Sequence, residues 1–216
     1  MHFENSKVID GLVVIHPDVN YDFRGEFVET YNNTFYDHIT GNVKFVIDDI
    51  SVSRHKTMRG IHGDTKTIKL IQCLHGEIMQ VVVDFRTDSP TFMAHEIFSI
   101  NDKNRTQILI PAGCGNGHVV LSDKVIFHYK QSEYYGGAGS QFQYRWTRFV
   151  EDFNVILPFN PNRDAILSAR DRQGMDLFET VSWLRPDLED ESIHELIENA
   201  LGVSRFHYSG DHRGIH

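Results

Sequence analysis

The chain has 216 residues, of which 40% are hydrophobic and 12% aromatic, enough for one domain with a substantial core rather than a disordered chain. Its formal net charge of −9 argues against a general nucleic-acid binder, because such proteins carry a basic face. An anionic ligand would need a few locally placed Arg and Lys side chains. The N-terminus is too polar for a signal peptide, and no apolar run approaches the ~20 residues that cross a bilayer. With only two cysteines, Cys73 and Cys114, we expect a cytoplasmic protein in a reducing compartment.

Short β-type runs separated by Gly, Asn, Asp and Pro dominate the chain as far as residue 150. They predict strands at residues 8–16, 27–31, 43–53, 68–74, 78–85, 94–100, 106–110, 117–121, 125–131 and 141–149. Only residues 33–38 favour a short helix in this part. Many short strands with few helical patterns between them predict an all-β sandwich or small barrel.

The C-terminal part has a different pattern. A Pro- and Asn-rich stretch at 158–163 leaves the β body, and residues 191–201 predict a helix that ends at Gly202. One face of this helix carries Ile193, Leu196, Ile197 and Leu201. Residues 204–216 have little pattern and are predicted to be frayed. We expect a main domain at 1–178 and a C-terminal helical extension at 179–216.

Residues 58–70 read M-R-G-I-H-G-D-T-K-T-I-K-L and concentrate basic side chains before a long strand. In an extended chain Met58, Gly60 and His62 would share one face, with Arg59 on the other. The missing side chain of Gly60 would leave room for a ligand beside His62. In residues 125–131, Tyr129 shares an otherwise apolar face with Val125 and Phe127. On the residues alone, a structural histidine and a core tyrosine are the commoner explanations of both patterns.

Other kinds of site find little support. No H-x-H occurs despite 13 histidines, so we expect no metal site. The glycine-rich stretch at 110–122 is either a tight connection or a bare backbone that faces a ligand together with Asn116. It contains no phosphate-binding loop, no nucleophile elbow and no dinucleotide fingerprint. Hydrolase and dinucleotide-dependent activities therefore have no motif behind them.

Taken together, several motifs resemble the dTDP-4-dehydrorhamnose 3,5-epimerase family over residues 8–178. In chain order they are D-F-R-G-E-F-V-E (22–29), F-V-I-D-D-I-S-V-S (45–53), M-R-G-I-H (58–62), the long run 69–92, I-P-A-G…L-S (110–122), Y-K-Q-S-E-Y-Y (129–135), Trp146 and L-S-A-R-D (167–171). The resemblance implies a cupin-type jelly roll, that is, a double-stranded β-helix with short helices. It also implies an isomerase that needs no cofactor and commonly forms homodimers through an N-terminal strand.

The resemblance assigns roles to individual residues. It implies that His62 is the general base, paired with Asp171, and that Tyr129 is the general acid. Lys69 would support the developing enolate, and Arg24 and Arg59 would hold the diphosphate, with Arg24 serving the partner's site. The remaining substrate-binding positions are Glu29, Asp49, Asn116, His118 and Tyr135.

The chain departs from the family pattern in three places. Ile47 and Asp49 stand where the family has glutamine and asparagine, and the family's A-H-G-F is G-N-G-H at 115–118. The loop between His62 and Lys69 is also about three residues shorter. These variants are closer to the branch that acts on GDP-linked 4-keto-heptoses for bacterial capsules. A nucleotide-sugar 3,4-ketoisomerase and a catalytically silent sugar-nucleotide-binding cupin are the alternatives.

Overall fold

The computed structural model describes residues 1–155 and 157–202 and contains two facing antiparallel β-sheets with helices outside them. The strands are β1 (His2–Asn5), β2 (Val13–His16), β3 (Val19–Asp22), β4 (Gly25–Val28), β5 (Ile47–Arg54), β6 (Met58–Gly63), β7 (Lys69–His75), β8 (Glu77–Asp84), β9 (His95–Asn101), β10 (Gln107–Ile110), β11 (Cys114–Val120), β12 (Lys124–Gln131) and β13 (Phe142–Gln143). The helices are α1 (Asn33–Thr40), α2 (Trp146–Asp152), α3 (Pro161–Asp164), α4 (Ala169–Arg172), α5 (Leu177–Leu184) and α6 (Asp190–Leu201), with a 3₁₀ helix at Ala138–Ser140. This architecture confirms the predicted all-β jelly roll with C-terminal helices.

The two sheets enclose the first part of the core. One has the strand order β1-β2-β10-β7-β12-β5 and the other the order β13-β6-β11-β8-β9, while β3 and β4 form a separate hairpin. Ile71, Val82 and Phe127 come from strands of both sheets and belong to one buried cluster between them. The space between the sheets is therefore apolar around this cluster. Other residues of the same strands line the polar cavity described below.

The C-terminal helices cover the outer face of the second sheet. On β8, Val82 belongs to the cluster between the sheets, whereas Val81 and Val83 belong to a second cluster with Val181 of α5 and Ile193 of α6. Burial on both faces explains why β8 reads as a nearly continuous apolar run rather than an alternating one. No helix in the described part of the chain is long and apolar enough to span a membrane.

The predicted C-terminal helix is confirmed. Ile193, Ile197 and Leu201 of α6 contact the outer cluster, and Gly202 ends the helix in a left-handed conformation with φ of 65°. The expected boundary after residue 178 falls inside α5, whose Leu177 and Val181 both belong to that cluster. The division into 1–178 and 179–216 thus stays a prediction. The tail expected at 204–216 lies outside the described residues.

The predicted strand at 141–149 is wrong beyond its first residues. Only Phe142 and Gln143 form β13, and the chain then turns into α2. Trp146 and Phe149 of α2 are both fully buried, three residues apart on one helical face. The aromatic and β-branched residues that favour a strand here are used instead to pack a helix onto the second sheet. The strand predicted at 8–16 is likewise confined to β2, after a turn at Gly11 with φ of 73°.

Candidate active site

A cavity of about 410 Å³ opens between β5, β7 and β12 on one side and β6 and β11 on the other. All but two of the predicted site residues line it, although they are spread over more than a hundred residues of sequence. These are Asp49, Arg59, His62, Lys69, Asn116, His118, Tyr129, Tyr135 and Asp171. The cavity therefore brings together two histidines, two cations, two carboxylates, two phenols and an amide.

The faces of β6 differ from the predicted alternation. Met58 and Ile61 both belong to the outer cluster, while Arg59, Gly60 and His62 all line the cavity. The alternation breaks because Gly60 adopts φ of 96°, opposite a register shift in β11. Arg59 and His62 consequently reach the same cavity, contrary to the prediction from strict alternation.

Close approach at Gly60 comes from the protein backbone. A Cβ atom added to Gly60 would lie 2.5 Å from the carbonyl oxygen of Asn116 and 2.6 Å from the Cα of Gly117. We predicted that the missing side chain leaves room for a ligand, but at this position it makes room for the backbone of β11.

His62 and Asp171 form a direct contact at the cavity wall. Nε2 of His62 lies 2.8 Å from Oδ1 of Asp171, whose Oδ2 accepts a hydrogen bond of 2.8 Å from the Ser168 hydroxyl. Burial would raise the pKa of Asp171, but the hydrogen bonds from His62 and Ser168 outweigh it and keep the pKa below its usual value. An ionised carboxylate only accepts hydrogen bonds, so Nε2 of His62 carries the proton and Nδ1 has the free lone pair.

Burial is the largest influence on His62. It lowers the pKa of the imidazole below its usual value, and the opposing effect of Asp171 does not fully restore it. His62 is therefore neutral at pH 7. A neutral imidazole with a fixed tautomer is suited to accept a proton.

The segment that carries Asp171 is held against the barrel at both ends. On one side the backbone N–H of Met58 donates to the carbonyl of Ile166 over 3.0 Å, and on the other the N–H of Met175 donates to the carbonyl of Gln143 over 2.6 Å. Ser168 caps α4 by accepting from the backbone N–H of Asp171. These contacts fix the carboxylate opposite β6.

Lys69 is the buried cation of the cavity. Its Nζ donates to the carbonyl oxygen of His62 over 3.1 Å and to Oδ1 of Asn116 over 2.8 Å. Burial lowers the pKa of Lys69 to about 8. The ammonium is therefore charged at pH 7, close to His62 and largely shielded from water.

Tyr129 lies opposite Asp49 in the pairing of β12 with β5. Its side chain is half-buried and follows Val125 and Phe127 on one face of β12, as predicted. Burial, followed by the negative charge of Asp49, raises the pKa of the Tyr129 phenol. Tyr135 is more exposed, and its hydroxyl accepts a hydrogen bond of 3.3 Å from Arg170.

Arg59 lies between this cavity and a neighbouring one of about 740 Å³. Both cavities share Arg59, Ser168 and Asp171 in their walls. The Arg59 side chain is exposed, and its Nε donates to the hydroxyl of Ser53 over 2.9 Å. The guanidinium can therefore meet an anion at the solvent side of the site.

Two predicted residues, Arg24 and Glu29, do not line the cavity of this single chain. Arg24 is at the tip of the β3–β4 hairpin, where its guanidinium pairs with Asp22. Glu29 follows the hairpin and is exposed. The resemblance assigned Arg24 to a partner's site, and its position outside this chain's own cavity is compatible with that assignment.

The structure adds lining residues that the sequence did not single out. The polar ones are Ser51, Gln131, Gln141, Ser168 and Arg170. Strand alternation could have identified Ser51 from Asp49 and Gln131 from Tyr129, since each pair is two residues apart on a strand. Among the described residues, no group of three His, Cys, Asp or Glu side chains is placed to hold a metal ion.

Comparison with known sequences identifies the family. The family model for dTDP-4-dehydrorhamnose 3,5-epimerase matches residues 6–179. The dTDP-4-dehydrorhamnose 3,5-epimerase of Methanothermobacter thermautotrophicus is 32% identical over 178 residues, which cover 82% of this chain and 95% of that protein. The enzyme of the same name from Salmonella typhimurium is 34% identical over 167 residues, or 76% of this chain and 88% of that protein.

Solved structures agree with this result. The crystal structure of dTDP-4-dehydrorhamnose 3,5-epimerase from Elizabethkingia anophelis is 31% identical, covers 83% of this chain and 97% of its own, and superposes with a TM-score of 0.73. The dTDP-6-deoxy-D-glucose-3,5-epimerase of Legionella pneumophila, in complex with dTDP-4-keto-L-rhamnose, gives 29% identity, coverage of 89% and 97%, and a TM-score of 0.74. The chain therefore belongs to the dTDP-4-dehydrorhamnose 3,5-epimerase family and is an isomerase with the cupin-type jelly roll of that family.

Proposed function

We propose that this chain inverts C3, C5 or both in a nucleotide-diphosphate-linked 4-keto sugar, with His62 as the base and Tyr129 as the acid. A 4-keto group makes the neighbouring C–H bonds acidic, because the carbanion delocalises into an enolate. Inversion then needs a base on one face of the ring and an acid on the other. The observation that carries the proposal is the His62–Asp171 contact, which lies in one cavity with Lys69 and Tyr129.

His62 takes the proton in the first step. Asp171 holds Nε2–H, so Nδ1 is the basic atom, and the carboxylate stabilises the imidazolium that forms. The lowered pKa of His62 keeps the ring neutral before the reaction. Since the pair is fixed by Ser168 and the α4 cap, little reorganisation is needed when the charge appears.

Lys69 stabilises the enolate that forms as His62 removes the proton. Its ammonium is buried and held by Asn116 and by the backbone of His62, so it is positioned before the negative charge develops. A preorganised donor of this kind contributes about 3–4 kcal/mol to the transition state. Arg59, at the exposed side of the cavity, holds the diphosphate.

Tyr129 returns a proton to the opposite face. Its raised pKa keeps the phenol protonated near pH 7, as a general acid requires. Asp49, opposite Tyr129 in the strand register, contributes to that shift. The family pattern that the sequence resembles has asparagine at this position, so we assign Asp49 to the pocket that distinguishes this enzyme's substrate.

The test is solvent deuterium incorporation at C3 and C5 of a nucleotide-linked 4-keto sugar, followed by proton NMR. We expect incorporation with the native chain and loss of it in His62→Ala. An unchanged 4-keto group distinguishes an epimerase from a 3,4-ketoisomerase, which moves the carbonyl. Binding without any exchange would indicate a catalytically silent sugar-nucleotide-binding protein, and normal exchange by His62→Ala would refute the assigned base.

We further propose GDP as the nucleotide and a 4-keto-heptose as the sugar, for a bacterial surface polysaccharide. The supporting features are the short loop after His62 and the replacement of the family's histidine by Asn116. The loop is a closed turn, since the Asp64 carboxylate accepts from the backbone N–H of Lys66 at 2.9 Å and of Thr67 at 2.7 Å. Calorimetry with GDP, dTDP, UDP and CDP tests this: tighter binding of dTDP than of GDP would contradict it.

We also propose a cytoplasmic homodimer in which the β3–β4 hairpin crosses to the partner. In the described chain the two strands of the hairpin pair only with each other, and Glu26 of β4 forms an ion pair with Arg105. The hairpin exposes large apolar side chains, with Phe23 98% exposed. Arg24 at its tip would then reach the partner's diphosphate. An active monomer in light scattering would contradict this arrangement.

A further inference from the structure

Two buried polar atoms in the cavity wall lack a hydrogen-bond partner in the structure. They are Nε2 of His118 and Oγ of Ser51. His118 is only 3% exposed. A buried donor or acceptor without a partner is unfavourable, and in a cavity wall it is satisfied by an ordered water or by a ligand.

Both residues flank the same aromatic side chain. Ser51 on β5 lies opposite Phe127 on β12, and the imidazole of His118 on β11 lies 4.3 Å from the Phe127 ring at an interplanar angle of 31°. Phe127 itself is 5% exposed. The two residues therefore line one part of the cavity from strands of different sheets.

His118 is a neutral hydrogen-bonding group. Burial is the main cause that lowers the pKa of its imidazole to about 3, and the nearby charge of Arg59 lowers it further. A neutral imidazole and a serine hydroxyl are weak partners for phosphate, for which the exposed Arg59 is better suited. A sugar hydroxyl can donate or accept, so it fits Ser51 and either tautomer of His118.

We propose that His118 and Ser51 form a subsite for the hydroxyl groups of the sugar and thereby determine which sugar the enzyme accepts. This inference rests on the proposed function, from which it takes the nucleotide-linked sugar as the ligand. It adds that the sugar, and not the nucleotide, satisfies these two atoms. A sugar without a hydroxyl at this point would leave His118 unsatisfied and bind about 10–100-fold more weakly.

Calorimetry with matched ligand pairs tests the subsite. The pairs are GDP with GDP-mannose and dTDP with dTDP-glucose, so that each pair differs only by the sugar. We expect His118→Phe to weaken binding of the sugar nucleotides about 10–100-fold and to leave binding of the nucleoside diphosphates unchanged. His118→Gln, whose amide nitrogen can replace Nε2, should retain most of the affinity. Ser51→Ala should show the same selective loss, and it tests the subsite independently if His118→Phe does not fold.

His95→Phe is the matched control, because His95 packs against Phe149 and Phe153 away from the cavity. It should leave all four affinities unchanged. The subsite alone would be overturned if a variant lost the same affinity for a nucleoside diphosphate as for its sugar conjugate. It would also be overturned if His118→Phe and Ser51→Ala both kept the native affinity for the sugar nucleotides. A native chain that binds neither pair would overturn the proposed function as well, so the two failures are distinguishable.

Discussion

Oδ1 of Asp171 lies 2.8 Å from Nε2 of His62, although the two residues are 109 positions apart in the chain. Asp171 is 6% exposed and held by Ser168, so its carboxylate cannot rotate away without losing a second hydrogen bond. The contact determines which imidazole nitrogen is basic. Its removal should therefore affect the rate of proton transfer more than the affinity for substrate.

We expect Asp171→Asn to lower kcat about 10²–10⁴-fold with little change in KM, because an amide nitrogen that donates to Nε2 forces the proton onto Nδ1. Rates of deuterium incorporation at saturating substrate measure this effect. Ser168→Ala removes only the supporting hydrogen bond and should lower kcat less. An Asp171→Asn variant with native kcat would show that the tautomer of His62 does not matter.

Lys69 should set the alkaline limb of the pH–rate profile. As pH rises through about 8, the buried ammonium loses its proton and no longer offsets the enolate charge, so kcat should fall. On the acid side, the rate should fall only below the usual pKa of histidine, since that of His62 is lowered. Lys69→Met should be slower and lose the alkaline limb. Lys66→Met, in the exposed loop, should keep the native profile.

The same pKa has a consequence for stability. The folded pKa of Lys69 lies below its unfolded value of 10.5, so between about pH 8 and 10.5 the unfolded chain binds more protons. This group alone therefore makes the free energy of unfolding rise with pH across that window. Lys69→Met should remove that contribution in urea titrations, and an unchanged pH slope would contradict the assignment.

Tyr129→Phe should separate exchange from inversion. His62 can still remove and return a proton on its own face, so deuterium should enter the substrate without a change of configuration. We expect inversion to fall about 10²–10⁴-fold while exchange persists. Tyr134→Phe is the control, because Tyr134 is 78% exposed and lies outside the cavity wall. If Tyr129→Phe lost deuterium exchange and inversion to the same extent, Tyr129 would not be the acid.

The strand pattern and the family motifs predicted the jelly roll and most of the cavity wall. They did not predict which way every side chain on a strand faces, because that depends on local backbone geometry. Alternation placed Arg59 and His62 on opposite faces, and it fails because Gly60 has a positive φ beside an irregular pairing with β11. The contact of His62 with Asp171 could not follow from spacing, since the two residues are 109 positions apart and strands β7–β13 lie between them in the sequence. It came from the resemblance alone.

The strand predicted at 141–149 failed for a related reason. Residues 141–149 have strand-like composition, but packing on the outer face of the second sheet favours α2, with Trp146 and Phe149 buried on one side. Tertiary burial outweighs local preference when an aromatic-rich segment can satisfy a helical period. The sequence also cannot show that Nε2 of His118 lacks a hydrogen-bond partner, because this depends on which side chains the neighbouring strands place beside it.

Gly60→Ala should destabilise the protein by about 1–3 kcal/mol or more, since the new Cβ would meet the Asn116 carbonyl oxygen at 2.5 Å and φ is unfavourable for alanine. Thermal unfolding measures the change as a lower Tm. Gly139→Ala is the control, because a Cβ there has no heavy atom within 4 Å. Equal Tm values for the two variants would mean that β6 and β11 can move apart without any loss of stability.

A mixing experiment can test whether the β3–β4 hairpin crosses to a partner. Arg24→Ala and His62→Ala should each be nearly inactive, the first because it lacks diphosphate binding and the second because it lacks the base. In a mixed dimer, the protomer with intact His62 receives Arg24 from the other protomer, so one native site is restored. We therefore expect activity to return when the two variants are unfolded together and refolded. If Arg24 instead served its own chain, each site in the mixture would still lack one group and activity would stay at the level of the separate variants.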